Sequence, residues 1–262
     1  MTLECVVNVS EGAHPDLVGS LAAAAGNDLL DVHSDPHHNR SVLTLVGTSA
    51  PRRVASVAVA SLDLGAHSGV HPRFGVVDVV PFVPLGRPFA DAVAARDAFA
   101  RWIASSLGVP AFLYGPERSL PAVRRSAFAG LAPDFGPPEP HPTAGAVAVG
   151  ARGVLVAWNL WLREPDLARA REVAAAVRSA EVRALGLAVG ERVQVSLNLV
   201  APDVVGPAEA WDRVAALVEV AAAELVGLVP EAVLLRTDPA RWEQLDLSAD
   251  RTIEARLGRG TT

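Results

Sequence analysis

Two imidazoles four residues apart, His67 and His71, are followed by the Arg73 guanidinium and then by the carboxylate of Asp78. Imidazole titrates near neutrality, so it can take a proton from a nucleophile and return one to a leaving group. His71 is the candidate general acid/base. Arg73 could disfavour its protonation or grip a substrate carboxylate with two parallel N–H groups. Asp78 could orient the imidazole, balance Arg73, or be a buried, satisfied carboxylate. A histidine in a tight loop can equally be structural, and the company of Arg73, Asp78 and a second histidine is what favours chemistry. His67, before the Gly69 turn, has no proton assigned to it.

Other reactive constellations are thin. His33 and His37 repeat the four-residue spacing, with His38, Asp35 and His141 elsewhere, but both histidine pairs lie in turns that contain Gly or Pro. No third and fourth ligand with matching spacing follows, so no metal is expected. Cys5 is the single cysteine and sits in an apolar stretch, where a thiol is inert; no internal disulfide can form. All 23 cationic side chains are arginine, which removes lysine Schiff-base chemistry.

The elements that must hold the histidine loop follow from periodicity. Residues 76–83 are nearly all branched or aromatic, as in a buried strand, and Gly69, Pro72 and Gly75 make a tight, stiff entry to it. Before it come a strand at 3–9, a helix at 15–25, a hairpin of 28–32 and 41–46, and a helix from Pro51 to about residue 64 with Ser49 as N-cap. That order is the ferredoxin-like split βαβ unit. A second stretch repeats it: strand 154–161, helix 164–179, strands 182–187 and 192–200, helix 207–220 and strand 222–229. Between them stand a helix at 89–107, a short strand at 112–114, a short helix at 120–128 and a proline-rich stretch at 132–145. That stretch is either a linker or an ordered segment laid along a ligand.

Two α/β (α+β) subdomains of βαββαβ order are therefore expected, at 1–150 and 151–262, with facing sheets and helices outside. Asn8 and Ser10 end the first strand at the same sheet edge as Asn39 and Arg40. Gly75 permits close backbone approach there. Asn159 and Asn198 interrupt apolar strands of the second half, and each must either bridge backbone groups or read a ligand.

The 262 residues are half hydrophobic and one-fifth charged, which supports a sizeable core. A net charge of −6 argues against nucleic acid or an anionic membrane as partner. Neither a signal peptide nor a spanning segment is apparent, so a soluble cytoplasmic protein is expected.

Ordered blocks along nearly the whole chain carry a specific resemblance. They include ECVVNVSEG from Glu4, NRSV from Asn39, HPRFGVVDVVPF from His71, PAFLYG from Pro110, PDFGP from Pro133, QVSLNL from Gln194 and ELVGLVP from Glu224. In these the chain resembles the formiminotransferase (glutamate formimidoyltransferase) family, as in the first domain of formiminotransferase-cyclodeaminase; the cyclodeaminase half has no counterpart. The resemblance implies transfer of the formimino group of N-formimino-L-glutamate to N5 of tetrahydrofolate, the folate being a co-substrate. It places the family's catalytic histidine on His71. It places the family's folate-contacting segment on 136–145, with Gly136, Pro137, His141, Thr143 and Gly145. It also implies a homodimer acting on small-molecule substrates, folate and formiminoglutamate. Val70 stands where the family carries an acidic residue, and His33 where some members carry Asp. An enzyme of the same scaffold using formimidoylglycine or 5-formyltetrahydrofolate, and a folate-binding protein without turnover, stay open.

Overall fold

The computed structural model describes residues 2–69 and 73–259. The chain divides into two compact units, the first ending at Arg152 and the second beginning at Gly153.

In the first unit, β1 (Thr2–Val9) alternates Leu3, Cys5, Val7 and Val9 into the core with Asn8 on the opposite face. Helix α1 (Pro15–Ala25) starts on Pro15, whose missing N–H needs no partner there, and stops at Gly26 with φ 60°. The hairpin β2 (Leu29–Asp35) and β3 (Arg40–Val46) is followed by α2 (Ala50–Ser61), β4 (Val77–Leu85) and α3 (Phe89–Leu107). Ser49 occupies the N-cap position of α2 but makes no side-chain capping bond. Gly108, left-handed at φ 67°, ends α3. Then come β5 (Ala111–Tyr114), α4 (Leu120–Ser126) and β6 (Val147–Ala151).

The sheet order β2-β3-β1-β4-β6-β5 contains the expected four-strand ferredoxin-like order and extends it by two parallel strands. Strand β6 is absent from the sequence reading. Its five residues, Val147 to Ala151, adjoin the proline-rich stretch and end in Gly150-Ala151, too short and small-residued to signal a strand. Helices α1, α2 and α3 cover one sheet face, with Leu21, Val54, Phe99 and Ile103 in its core. On the other face α4 covers Val79, Phe112 and Ala148 through Val123. Cys5 is fully buried in the helix-covered core, and burial pushes its thiol well up.

The second unit comprises β7 (Val156–Leu162), α5 (Leu167–Val177), β8 (Val182–Val189), β9 (Arg192–Leu199), α6 (Pro207–Ala215) and β10 (Val220–Val226). Its sheet order, β10-β7-β9-β8, is again ferredoxin-like. Asp166 caps α5 by accepting from the Arg169 N–H at 2.9 Å. Helix α6 is shorter than the sequence suggests, and the strand expected at 222–229 lies at Val220–Val226. Two short helices, α7 (Glu231–Leu235) and α8 (Ile253–Arg259), follow; Val233, Leu234 and Leu245 join the core of this unit. No helix of the described residues is long and apolar enough to cross a membrane.

Candidate active site

Strand register brings most candidate residues of the first unit to one end of its sheet. Val9 faces Ser41 of β3 on one side and Val77 of β4 on the other. Ser10, the Asn39–Arg40 corner and the segment entering β4 therefore meet there. The β1–β4 register shifts between Asn8 and Val9, and beside that irregularity stands Asp78, 2% exposed. A bulge redirects the side chains around it.

Hydrogen bonds lock this end. The Ser10 hydroxyl donates to the Gly75 carbonyl at 2.8 Å, and the Ser10 N–H to Val76 at 2.8 Å. Asn39, at φ 48°, accepts on Oδ1 from the N–H groups of Gly12 and Ala13 at 2.8 and 3.1 Å. Its Nδ2 donates to the Ser68 carbonyl at 2.9 Å. The His67 Nε2 lies 2.8 Å from the Asn39 carbonyl, which can only accept, so Nε2 carries the proton. Arg73 donates to the carbonyls of Gly69 and His67 at 3.0 and 2.9 Å, so part of its fork closes the loop.

On the face opposite the main helices, Arg40 donates to Asn8 Oδ1. Asp78 accepts from the Phe74 N–H at 2.9 Å and from Arg124 of α4, whose guanidinium also stands 5.7 Å from the Phe74 ring. Burial pushes the Arg40 guanidinium down to about 10, with Asp78 and Asp35 opposing that fall and Arg124 adding to it. At neutral pH Arg40 is thus a desolvated cation. Glu11 is pushed up by burial but held below its usual range overall by hydrogen bonds from His14 and Ala13. Asp35 behaves alike, bonded to the His38 ring at 2.5 Å. Among the described residues, no group of three His, Cys, Asp or Glu could hold a metal ion.

The proline-rich segment is ordered against this end. Gly145, at φ 69°, pairs with Gly75, and a Cβ on Gly75 would stand 1.8 Å from the Ala146 carbonyl oxygen. His141 and Gly145 exchange backbone bonds of 2.8 and 2.9 Å, and the His141 Nδ1 accepts from Ala144 N–H at 3.0 Å. Thr143 is exposed, and its carbonyl accepts from Leu64 N–H at 2.7 Å. Gly136 and Pro137 are exposed; Gly136 lines an open groove of about 450 Å³ with Arg101, Ala104, Ser105 and Phe135. The segment thus runs from the C-terminal end of α3 to the loop before β4.

His71, with Val70 and Pro72, lies outside the described residues. Asn159 and Asn198 belong to the second unit, both on the sheet face opposite its core. Asn159 donates to Glu224 at 3.2 Å, alongside the Trp161 indole at 3.1 Å, whereas Asn198 is exposed and pairs with Ala157 and Arg183. Sequence reasoning missed Arg124 because its partner Asp78 is 46 residues away, with no local signal. It also left His67 without a role, although its Nδ1 is buried and, among the described residues, has no hydrogen-bond partner.

Residues 2–152 match the family described as the formiminotransferase domain, N-terminal subdomain, and the match ends where the first compact unit ends. The glutamate formimidoyltransferase of Streptococcus pyogenes serotype M1 is 37% identical over 76% of this chain and 77% of its own length. That of Thermoplasma acidophilum is 35% identical over 89% of each chain. The formimidoyltransferase-cyclodeaminase of Sus scrofa is 33% identical over 89% of this chain, which spans about half (51%) of that longer protein.

Proposed function

This chain belongs to the formiminotransferase family, and we propose that it transfers the formimino group of N-formimino-L-glutamate to N5 of tetrahydrofolate, releasing glutamate and 5-formiminotetrahydrofolate. The observation that carries this reading is the match to two proteins named glutamate formimidoyltransferase over most of their own length as well as most of this chain.

In this reaction N5 attacks the amidine carbon, a tetrahedral species forms, and the carbon–nitrogen bond to glutamate breaks. His71 takes the proton released by N5 and returns one to the departing glutamate nitrogen. Arg40, a desolvated cation, is assigned to a substrate carboxylate, with Asn8 and Asn39 holding its corner of the sheet. Ser10, Gly75, Asp78 and Arg73 hold the described residues on either side of His71, up to Gly69 and from Arg73 onward. Gly136, Pro137, His141, Thr143 and Gly145 are assigned to folate, along a segment already ordered by its own hydrogen bonds, so that less is lost on binding. Asn159 and Asn198 are candidate substrate groups of the second unit. The two units are taken as the N-terminal and C-terminal formiminotransferase subdomains. A cytoplasmic homodimer serving histidine degradation and one-carbon metabolism completes the reading.

Incubating the purified protein with N-formimino-L-glutamate and tetrahydrofolate tests it, with 5-formiminotetrahydrofolate as the product sought. Folate binding without product would leave a binding protein. Turnover only with formimidoylglycine or 5-formyltetrahydrofolate would replace the donor.

A further inference from the structure

The His67 imidazole is held so that one ring nitrogen has a fixed task and the other has none within the protein. Its Nε2–H donates to the Asn39 carbonyl at 2.8 Å. That carbonyl cannot swing away, because both ends of the Asn39 side chain are engaged, with Gly12, Ala13 and Ser68. The backbone of the ring is clamped as well, since Arg73 donates to the His67 carbonyl at 2.9 Å. Gly69 closes on the ring edge: a Cβ there would stand 2.9 Å from His67 Cε1 and 2.6 Å from the His38 carbonyl oxygen. With Nε2–H engaged and no acceptor on Nδ1 among the described residues, a ring carrying that one proton presents a bare lone pair at Nδ1. That atom is buried and unpaired among the described residues. Buried acceptors are paired in the great majority of cases, and one kept bare on a clamped ring, four residues before His71 in the sequence, is a place for a ligand donor.

We propose that His67 Nδ1 accepts a hydrogen bond from an N–H of the formimino group, and that this contact selects a formimino donor over a formyl one. The inference rests on the transfer reaction proposed above. Formimino and formyl groups have nearly the same size, so pocket shape separates them poorly. They differ in polarity: the formimino carbon carries an N–H donor where the formyl carbon carries an oxygen acceptor. An imidazole lone pair attracts the first and repels the second, and polar mismatch of this kind discriminates more strongly than a methylene. His67 thereby becomes a specificity-determining residue distinct from His71, which moves the protons.

The test compares wild type, His67→Ala and His67→Asn in two measurements: kcat/KM for N-formimino-L-glutamate, and Ki for N-formyl-L-glutamate as the formyl-bearing inhibitor. In His67→Ala the first should fall ~10–100-fold, as for a lost hydrogen bond to a buried group, while the second stays level or tightens. His67→Asn, which offers an amide oxygen near the place of Nδ1, should recover part of the formimino rate. A parallel loss of both ligands in both variants, tracking a fall in melting temperature, would mean a structural role and overturn the inference. Should the wild type transfer nothing, the proposed function fails first, and nitrogen NMR of the His67 ring then decides. A Nδ1 shift with N-formimino-L-glutamate but not with N-formyl-L-glutamate supports the contact, and no shift with either overturns it.

Discussion

Arg124 of α4 closes on the Asp78 carboxylate at the start of β4, and the same carboxylate holds the Phe74 N–H at 2.9 Å. The Asp78 side chain is 3% exposed and that of Arg124 24%, so little water is present to replace either partner. A helix on one sheet face thus pins the loop that enters the neighbouring strand.

Removing Arg124 leaves the buried Asp78 carboxylate, among the described residues, with the Phe74 N–H as donor and the Arg40 guanidinium as the remaining neighbouring charge. Arg124→Ala should therefore lower unfolding stability by about 3 kcal/mol. Asp78→Asn should do less harm, because its amide oxygen can keep the Phe74 bond. Urea titration reads both as shifts in midpoint at constant slope; an unchanged midpoint in Arg124→Ala would show the pair to be idle.

His71→Ala should reduce turnover ~10²–10⁴-fold, the usual effect of a lost general acid/base, with tetrahydrofolate affinity and melting temperature nearly unchanged. Steady-state kinetics beside a folate titration separates the two effects. An active His71 variant would return the proton transfer to another group.

Gly75→Ala places a methyl 1.8 Å from the Ala146 carbonyl oxygen, where backbone must move. A loss of about 3 kcal/mol is expected. Gly153→Ala is the control, since nothing lies within 4 Å of its Cβ, and it should stay within about 0.5 kcal/mol. Equal melting temperatures for the two variants would refute the close approach of the loop to the proline-rich segment.

Glu117 offers a pH window. Hydrogen bonds from Arg96, at 2.5 and 2.8 Å, hold its carboxyl down from 4.5 to about 2. The folded value lies below the unfolded one, so the stabilisation is complete above the unfolded value and is lost as pH falls toward the folded one. Its side chain is 47% exposed, which screens the effect and keeps it small. The gap in melting temperature between wild type and Glu117→Gln should therefore narrow on acidification through that window. A gap that holds constant from neutral pH to the acid limit contradicts the pairing.

Local pattern carried much of the fold. Residues 89–107 show helical spacing ending at Gly108, and α3 has those limits. The split βαβ order was legible twice, because alternation and helix spacing switch cleanly between Leu3 and Val46 and again between Val156 and Leu199. Strand β6 was not legible, because its identity comes from two parallel neighbours rather than from its own residues. The same holds for the site. Histidines, glycines and asparagines at strand ends can be read as types, but the bond from His67 to Asn39 spans 28 residues and that from Arg124 to Asp78 spans 46. Such contacts exist only once strand register is set.

Strand β6 also imposes an order of events on a chain emerging from a ribosome. It lies between β4 and β5 but is made after both, so β5 waits beside an empty lane until residues 147–151 have appeared. Until then β4 presents an unpaired apolar edge, a template for pairing with another nascent chain. Completion of the first unit is thereby gated by its last few residues. A polypeptide released short of Ala151 should collect in inclusion bodies, whereas one released at Arg152 has every strand of that sheet to hand.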